Sequence, residues 1–212
     1  MKTKTFIFDF DGTLVNSMPS YISVMLRVLN ENNITYSDDI VKIITPLGYV
    51  GTAKYFQTLG LNRTIDEIVE TFSNYARYEY ENTILAKETV AETLIKMKEL
   101  GYDLNVLTAS PHVVLDPCLK RLKLFDLFSN VWSCDDFNTT KANPDIYKMC
   151  AEKLGKSVGE IIFVDDNVNA VATAKTAGMF ACGIYDESSK DYIDEMKRVA
   201  DEYVTTFCEL IK

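Results

Sequence analysis

The chain reads as an α/β protein: a parallel β-sheet with helices on both faces, interrupted by one all-helical insert. Three features predict this. Short apolar runs recur along the chain, helical patterns separate the later ones, and the interval from Asn16 to Ala86 carries helical periodicity without a strand. The runs Thr5–Phe8, Leu104–Leu107, Asn130–Trp132, Ile161–Val164 and Phe180–Ile184 lack the alternation of a half-solvated strand, so they are expected to be buried on both faces. Strands that alternate with helices pair in parallel through crossovers, and such sheets bind ligands beyond their C-terminal strand ends.

Taken in order, the first run ends at Asp9 and the chain turns at Gly12 into the insert. Helical stretches there are Tyr21–Asn30, Asp38–Ile44, Val50–Leu59 and Thr64–Tyr80. Because the insert follows the first strand at once, it is expected to sit over that strand's end as a lid. The division this implies is a core of residues 1–15 and 87–212 and a cap of residues 16–86. Glu88–Leu100 places Val90, Leu94 and Met97 with Ala91 and Ile95 on one helical face, pairs Glu92 with Lys96, and stops at Gly101. Ser110-Pro111 and Asn143-Pro144 read as helix starts, each a capping residue followed by proline at the first helical position. A further helix runs from about Asn167 to Gly178.

Composition narrows the function. With 212 residues, 47% hydrophobic and 25% charged, the chain can bury a large core. Its 31 acidic against 22 basic residues give a net charge of -9, which repels phosphate backbones and anionic lipid surfaces, so neither nucleic acid nor membrane is an expected partner. Phe6-Ile7-Phe8 is too short for the apolar region of a signal peptide, and no run approaches the roughly 20 apolar residues of a membrane span. The cysteines, Cys118, Cys134, Cys150, Cys182 and Cys208, are odd in number and lack a C-x-x-C pair, which fits a reducing cytoplasm rather than a disulfide framework or a zinc site. His112 is the one histidine and is expected at the surface.

The acids carry the chemistry. Residues i and i+2 of a strand project to one face, so Asp9 and Asp11 converge if extended geometry persists. Two carboxylates about 4 Å apart repel by about 4 kcal/mol at an effective dielectric near 20, which calls for a cation. A few carboxylates completed by waters and a substrate phosphate suit Mg²⁺ better than Ca²⁺. Asp165 and Asp166, after the run "IIFV", supply charge at a second strand end; acids at a helix start also simply complement its dipole. Asp135 and Asp136 form a competing pair after a weaker strand and are expected to be solvated.

These residues resemble the haloacid dehalogenase superfamily, in its phosphatase-like branch with a helical cap after the first strand, as in phosphoglycolate phosphatase and beta-phosphoglucomutase. The resemblance lies in "DFDGT" at Asp9 to Thr13, "VLTAS" ending at Ser110, "TKANPDIY" around Lys141 and "FVDDN" with Asp166, in the family's order along essentially the whole chain. It implies a Rossmann-like core and a phosphatase acting on a small phosphate monoester through an aspartyl-phosphate. Asp9 would be the nucleophile, and Asp11 the general acid and base. Thr108, the backbone N–H of Ala109, and Lys141 would hold the phosphate. Asp9, Asp11 through its backbone carbonyl, and Asp166 would hold Mg²⁺.

The chain differs from the family pattern at Asn16, where aspartate is frequent, at Ala142, where proline follows the lysine, and at Asp165, where many members have glycine. Asp11 speaks against a dehalogenase, which needs no acid for displacement at carbon. A phosphomutase of the beta-phosphoglucomutase type and a non-catalytic phosphate-binding or phospho-accepting protein are the alternatives. Ser110 is expected to cap a helix. Within Thr45–Phe56, Tyr49, Tyr55 and Phe56 are read as core of the insert, with Lys54 as a candidate for an anionic leaving group. Monomer and homodimer are equally open.

Overall fold

Thr5–Phe8 forms the first strand, β1, with all four residues buried. The computed structural model describes residues 4–211. The insert follows as α1 (Met18–Glu31), α2 (Ile40–Ile44), α3 (Gly48–Thr58) and α4 (Ile65–Asn82). Strands and helices then alternate: α5 (Val90–Glu99), β2 (Asp103–Thr108), α6 (His112–Arg121), β3 (Asn130–Ser133), α7 (Asp145–Lys153), β4 (Ile161–Asp165), α8 (Val168–Ala177), β5 (Phe180–Ile184), α9 (Ile193–Val199) and β6 (Glu202–Val204). Short 3₁₀ turns fill several connections. By contact the chain divides into two units, one running up to Asn16 and again from Leu85 onward, the other Ser17–Ile84.

The first unit is a sheet in the order β3-β2-β1-β4-β5-β6, every pair parallel. β1 lies between β2 and β4, with Phe8 level with Val106 on one side and Val164 on the other. The winding reverses at β1, so a crevice opens beyond its C-terminal end. Ile7, Phe163, Tyr147 and Val171 belong to a buried cluster that packs α7 and α8 against the sheet. α8 shows how local sequence sets an element: Asn167 caps it through its side chain, accepting the N–H groups of Asn169 and Ala170, and Gly178 ends it in the left-handed conformation.

Several expectations change. β6 was not foreseen; it is three residues long with only Val204 fully buried, too short for an apolar run to mark it. β3 is buried on both faces only at Ser133. In α5 the buried face is Val90, Thr93, Leu94 and Met97, while Ala91 and Ile95 face solvent, because each lies one residue, about 100° of rotation, past Val90 and Leu94 and so turns off the packed stripe. Pro111 and Pro144 stand at the cap positions rather than inside the helices they precede.

The second unit is entirely helical and has its own core, in which Met25, Leu29, Ile44, Phe56 and Phe72 are fully buried. A reciprocal capping box between Thr64 and Glu67 starts α4. Tyr49 stacks on Tyr21 with ring centroids 5.3 Å apart, and Tyr55 packs against the same cluster, whereas Lys54 is exposed.

Candidate active site

The sheet register assembles the acids. The Asp9 N–H donates to the Val164 carbonyl at 2.9 Å, extending the β1–β4 ladder by one residue and setting Asp9 beside Asp165 at the end of β4. Asp9, Asp165 and Asp166 offer carboxylate oxygens within 4.8 Å of one another, and all three are buried. The Lys141 ammonium reaches Asp9 Oδ1 at 2.6 Å and Asp165 Oδ2 at 2.8 Å. Asp165 Oδ1 accepts the Asn167 N–H at 2.7 Å, so this aspartate both binds the lysine and shapes the turn into α8.

Three carboxylates against one ammonium leave a buried excess of negative charge. Burial pushes the Asp9 carboxyl up to about 7 against the pull of Lys141, with Asp165 and Asp11 adding to the rise. Burial, then Asp165, Asp9 and Asp186, raise Asp166 well above the ordinary carboxylate range. Burial alone would lower the Lys141 ammonium, but the Asp165 and Asp9 carboxylates outweigh it and hold it protonated. An all-oxygen donor set with uncompensated negative charge fits a hard divalent cation, and Asp9 and Asp166 are the side chains that would hold it. The Asp11 side chain is not among the three clustered carboxylates.

Gly12 makes room for this arrangement. Its φ is +79°, and a Cβ there would meet Asp166 Oδ1 at 2.7 Å, so the carboxylate occupies the space a side chain would need. The Thr13 hydroxyl donates to Asp166 Oδ1 at 3.3 Å from the same turn.

Asp11 Oδ2 accepts the Ser110 hydroxyl at 2.5 Å. Ser110 therefore does not cap α6, which has no side-chain cap; it fixes the rotation of an acid 99 positions away. Thr108, buried at the end of β2, accepts the Ser110 N–H at 3.1 Å, which leaves its hydroxyl hydrogen to donate elsewhere. Ala109 follows and is exposed. The Tyr147 hydroxyl, in the buried core, lies 2.9 Å from the Lys141 carbonyl and 3.1 Å from that of Ala170, anchoring a loop that lacks proline after the lysine.

Two neighbours escaped sequence reasoning. Lys87 donates to the carbonyls of Gly12 at 2.6 Å and Tyr185 at 2.7 Å and to Asp186 Oδ2 at 2.9 Å. Asp186 is buried and takes both the N–H and the hydroxyl of Ser188 on Oδ1. Lys87 belongs to a polar stretch and Asp186 follows a strand like many turn acids, so only long-range pairing marks them. The competing pair behaves otherwise: Asp136 accepts the Ser133 N–H and meets His112 Nε2 at 2.9 Å, while His112 Nδ1 meets Asp116 at 2.7 Å. No described helix is long and apolar enough to cross a membrane.

A family model described as haloacid dehalogenase-like hydrolase matches residues 3–178. The chain is 27% identical over 179 residues to the pyrophosphatase PpaX of Bacillus cereus (strain Q1), covering 84% of this chain and 81% of that protein. A candidate beta-phosphoglucomutase from Thermotoga maritima superposes with a TM-score of 0.83 at 20% identity, over 96% of this chain and 94% of its own. A protein from Haemophilus somnus 129PT described as a predicted phosphoglycolate phosphatase also gives 0.83, at 23% identity, over 100% and 97%. At such identities the structural likeness is one of fold.

Proposed function

The chain belongs to the haloacid dehalogenase-like hydrolases, and from that membership we propose that it is a Mg²⁺-dependent phosphatase of small phosphate monoesters working through a phosphoryl group carried on Asp9. The observation that carries this reading is the buried Asp9 carboxylate, held by Lys141 at 2.6 Å within the three-carboxylate cluster. Family membership and likeness to a pyrophosphatase make a phosphatase-like hydrolase; the metal, the ester class and a cytoplasmic location are the finer parts of the proposal.

In this mechanism an ionised Asp9 oxygen attacks phosphorus as the ester P–O bond breaks, and no base is needed to activate it. Asp11, steadied by Ser110, gives its proton to the leaving oxygen. A water then attacks the phosphoryl group, Asp11 takes that water's proton, and the bond to Asp9 breaks to release phosphate. Thr108 and the Ala109 N–H hold the phosphoryl oxygens, and Lys141 spans nucleophile and phosphate. Asp9, Asp166 and the Asp11 backbone carbonyl would hold a divalent cation, which when bound would supply positive charge to keep Asp9 ionised and offset the phosphoryl oxygens.

Phosphate release from a chromogenic aryl phosphate should require added Mg²⁺, vanish with chelator, and fall at least 10³-fold in Asp9→Asn, about 4 kcal/mol of barrier. Undiminished turnover in that variant sinks the assignment. A panel of physiological esters that includes inorganic pyrophosphate then sorts substrates, and hexose phosphate interconversion outpacing phosphate release would favour the phosphomutase.

A further inference from the structure

We propose that Lys87 is a positioning residue that holds the acidic site to the size of a small octahedral cation, by locking the Gly12–Thr13 peptide on which the Asp166 carboxylate rests. The inference rests on the cation site proposed above and concerns what tunes it.

The geometry leaves the ammonium no slack. Its three donors meet three acceptors, Gly12 O, Tyr185 O and Asp186 Oδ2, all within 2.9 Å. Two belong to the segment after β5 and one to the turn after β1, so the lysine ties together two segments that sequence keeps far apart. Its own backbone is bound to the same turn, because the Lys87 N–H donates to the Leu14 carbonyl at 3.0 Å. The Gly12 N–H donates to the Val15 carbonyl at 3.0 Å, so Gly12 is fixed through its N–H by Val15 and through its carbonyl by Lys87.

Asp166 leans on that fixed turn. Its carboxylate atoms lie 2.7 to 2.8 Å from where a Gly12 side chain would begin, and its Oδ1 takes the Thr13 hydroxyl. Movement of the Gly12–Thr13 peptide therefore moves Asp166. Mg²⁺ demands near-ideal octahedral geometry at about 2.0–2.1 Å, whereas Ca²⁺ accepts looser, larger shells at about 2.3–2.6 Å. A rigid turn favours the first ion; a slack one gives ground to the second.

Charge and geometry separate cleanly in the ratio of two affinities. Loss of the Lys87 charge makes the site more negative and acts on Mg²⁺ and Ca²⁺ alike, whereas loss of its hydrogen bonds changes the preference between them. Groups that orient metal ligands typically move affinity 10–100-fold, so the lower end, about ten-fold in the ratio, is expected here.

The test is calorimetric titration of the whole protein with Mg²⁺ alone and with Ca²⁺ alone. Lys87→Met should narrow the preference for Mg²⁺ over Ca²⁺ about ten-fold. Lys87→Arg, which keeps the charge but presents a planar fork to convergent acceptors, should narrow it too and serves if the methionine variant does not fold. Glu88→Gln, which removes the exposed charge next to Lys87 and leaves its three acceptors untouched, should keep the ratio. A wild-type ratio in both folded Lys87 variants overturns the proposal, as does a ratio lost equally in Glu88→Gln. Asp166→Asn tests the premise separately: if it binds both ions like the wild type, the cation site is elsewhere and the reading of the site fails, whatever Lys87 does.

Discussion

Gly12→Ala asks whether the site needs Asp166 where it stands. An L-residue at φ +79° costs about 1–2 kcal/mol of backbone strain. The new methyl would also lie 2.7 Å from Asp166 Oδ1, and since ordinary contact begins at 3.4 Å, the carboxylate must withdraw by about 0.7 Å. Misplacement by about 1 Å at a reacting centre can cost 10²-fold, so kcat should fall about 10- to 100-fold at saturating Mg²⁺. The strain alone should lower the melting temperature by about 2–8 °C in a chain of this size. Gly101→Ala is the matched control, with φ +77° and nothing within 4 Å of its added Cβ: equal strain, no carboxylate to displace. Thermal unfolding by circular dichroism and turnover of an aryl phosphate, run on both variants, separate the effects. Gly12→Ala with kcat within about two-fold of wild type, or Gly101→Ala losing as much activity, would refute the reasoning.

Tyr147→Phe removes the buried hydroxyl that anchors the Lys141 loop; about 1–2 kcal/mol of stability should go with it, together with a several-fold drop in kcat, and an unchanged kcat would mean the loop is held elsewhere. His112→Gln probes a surface clasp whose imidazole proton affinity is raised by hydrogen bonds to Asp116 and then Asp136. A raised folded value means the clasp stabilises fully below the unfolded histidine value of about 6.5 and is lost as pH climbs through the folded one. Urea midpoints should therefore show the wild type ahead of the variant at pH 6, by no more than about 1 kcal/mol for so exposed a group, and level with it at pH 9; an advantage that grows with pH would contradict the assignment.

The clustered acids were legible because they sit at local discontinuities in the pattern. An apolar run that stops at a charge, as at Asp9 and Asp165, marks the end of a buried strand whatever the rest of the chain does. A sequence window cannot show which hydroxyl an acid will meet. Ser110 had the local signature of a helix cap, yet its hydroxyl goes to Asp11. α5 shows the same limit: apolar residues at 91 and 95 widen the stripe in the sequence, but packing selects the covered face, and it covers Thr93 rather than Ile95.

Local sequence sufficed for the alternation of strands and helices, the helical insert, and the acids at strand ends as candidate site residues, since apolar periodicity, turn residues and charge at strand ends are properties of neighbouring positions; Lys141 was marked only by the family resemblance. The folded chain alone reveals that Phe8 stands level with Val164, which sets Asp9 beside Asp165, and that Lys87 closes on Gly12 and Asp186, 75 and 99 positions away. Those pairings depend on the order in which the sheet lays its strands side by side. A hydrogen bond between distant segments leaves no period in the chain that makes it.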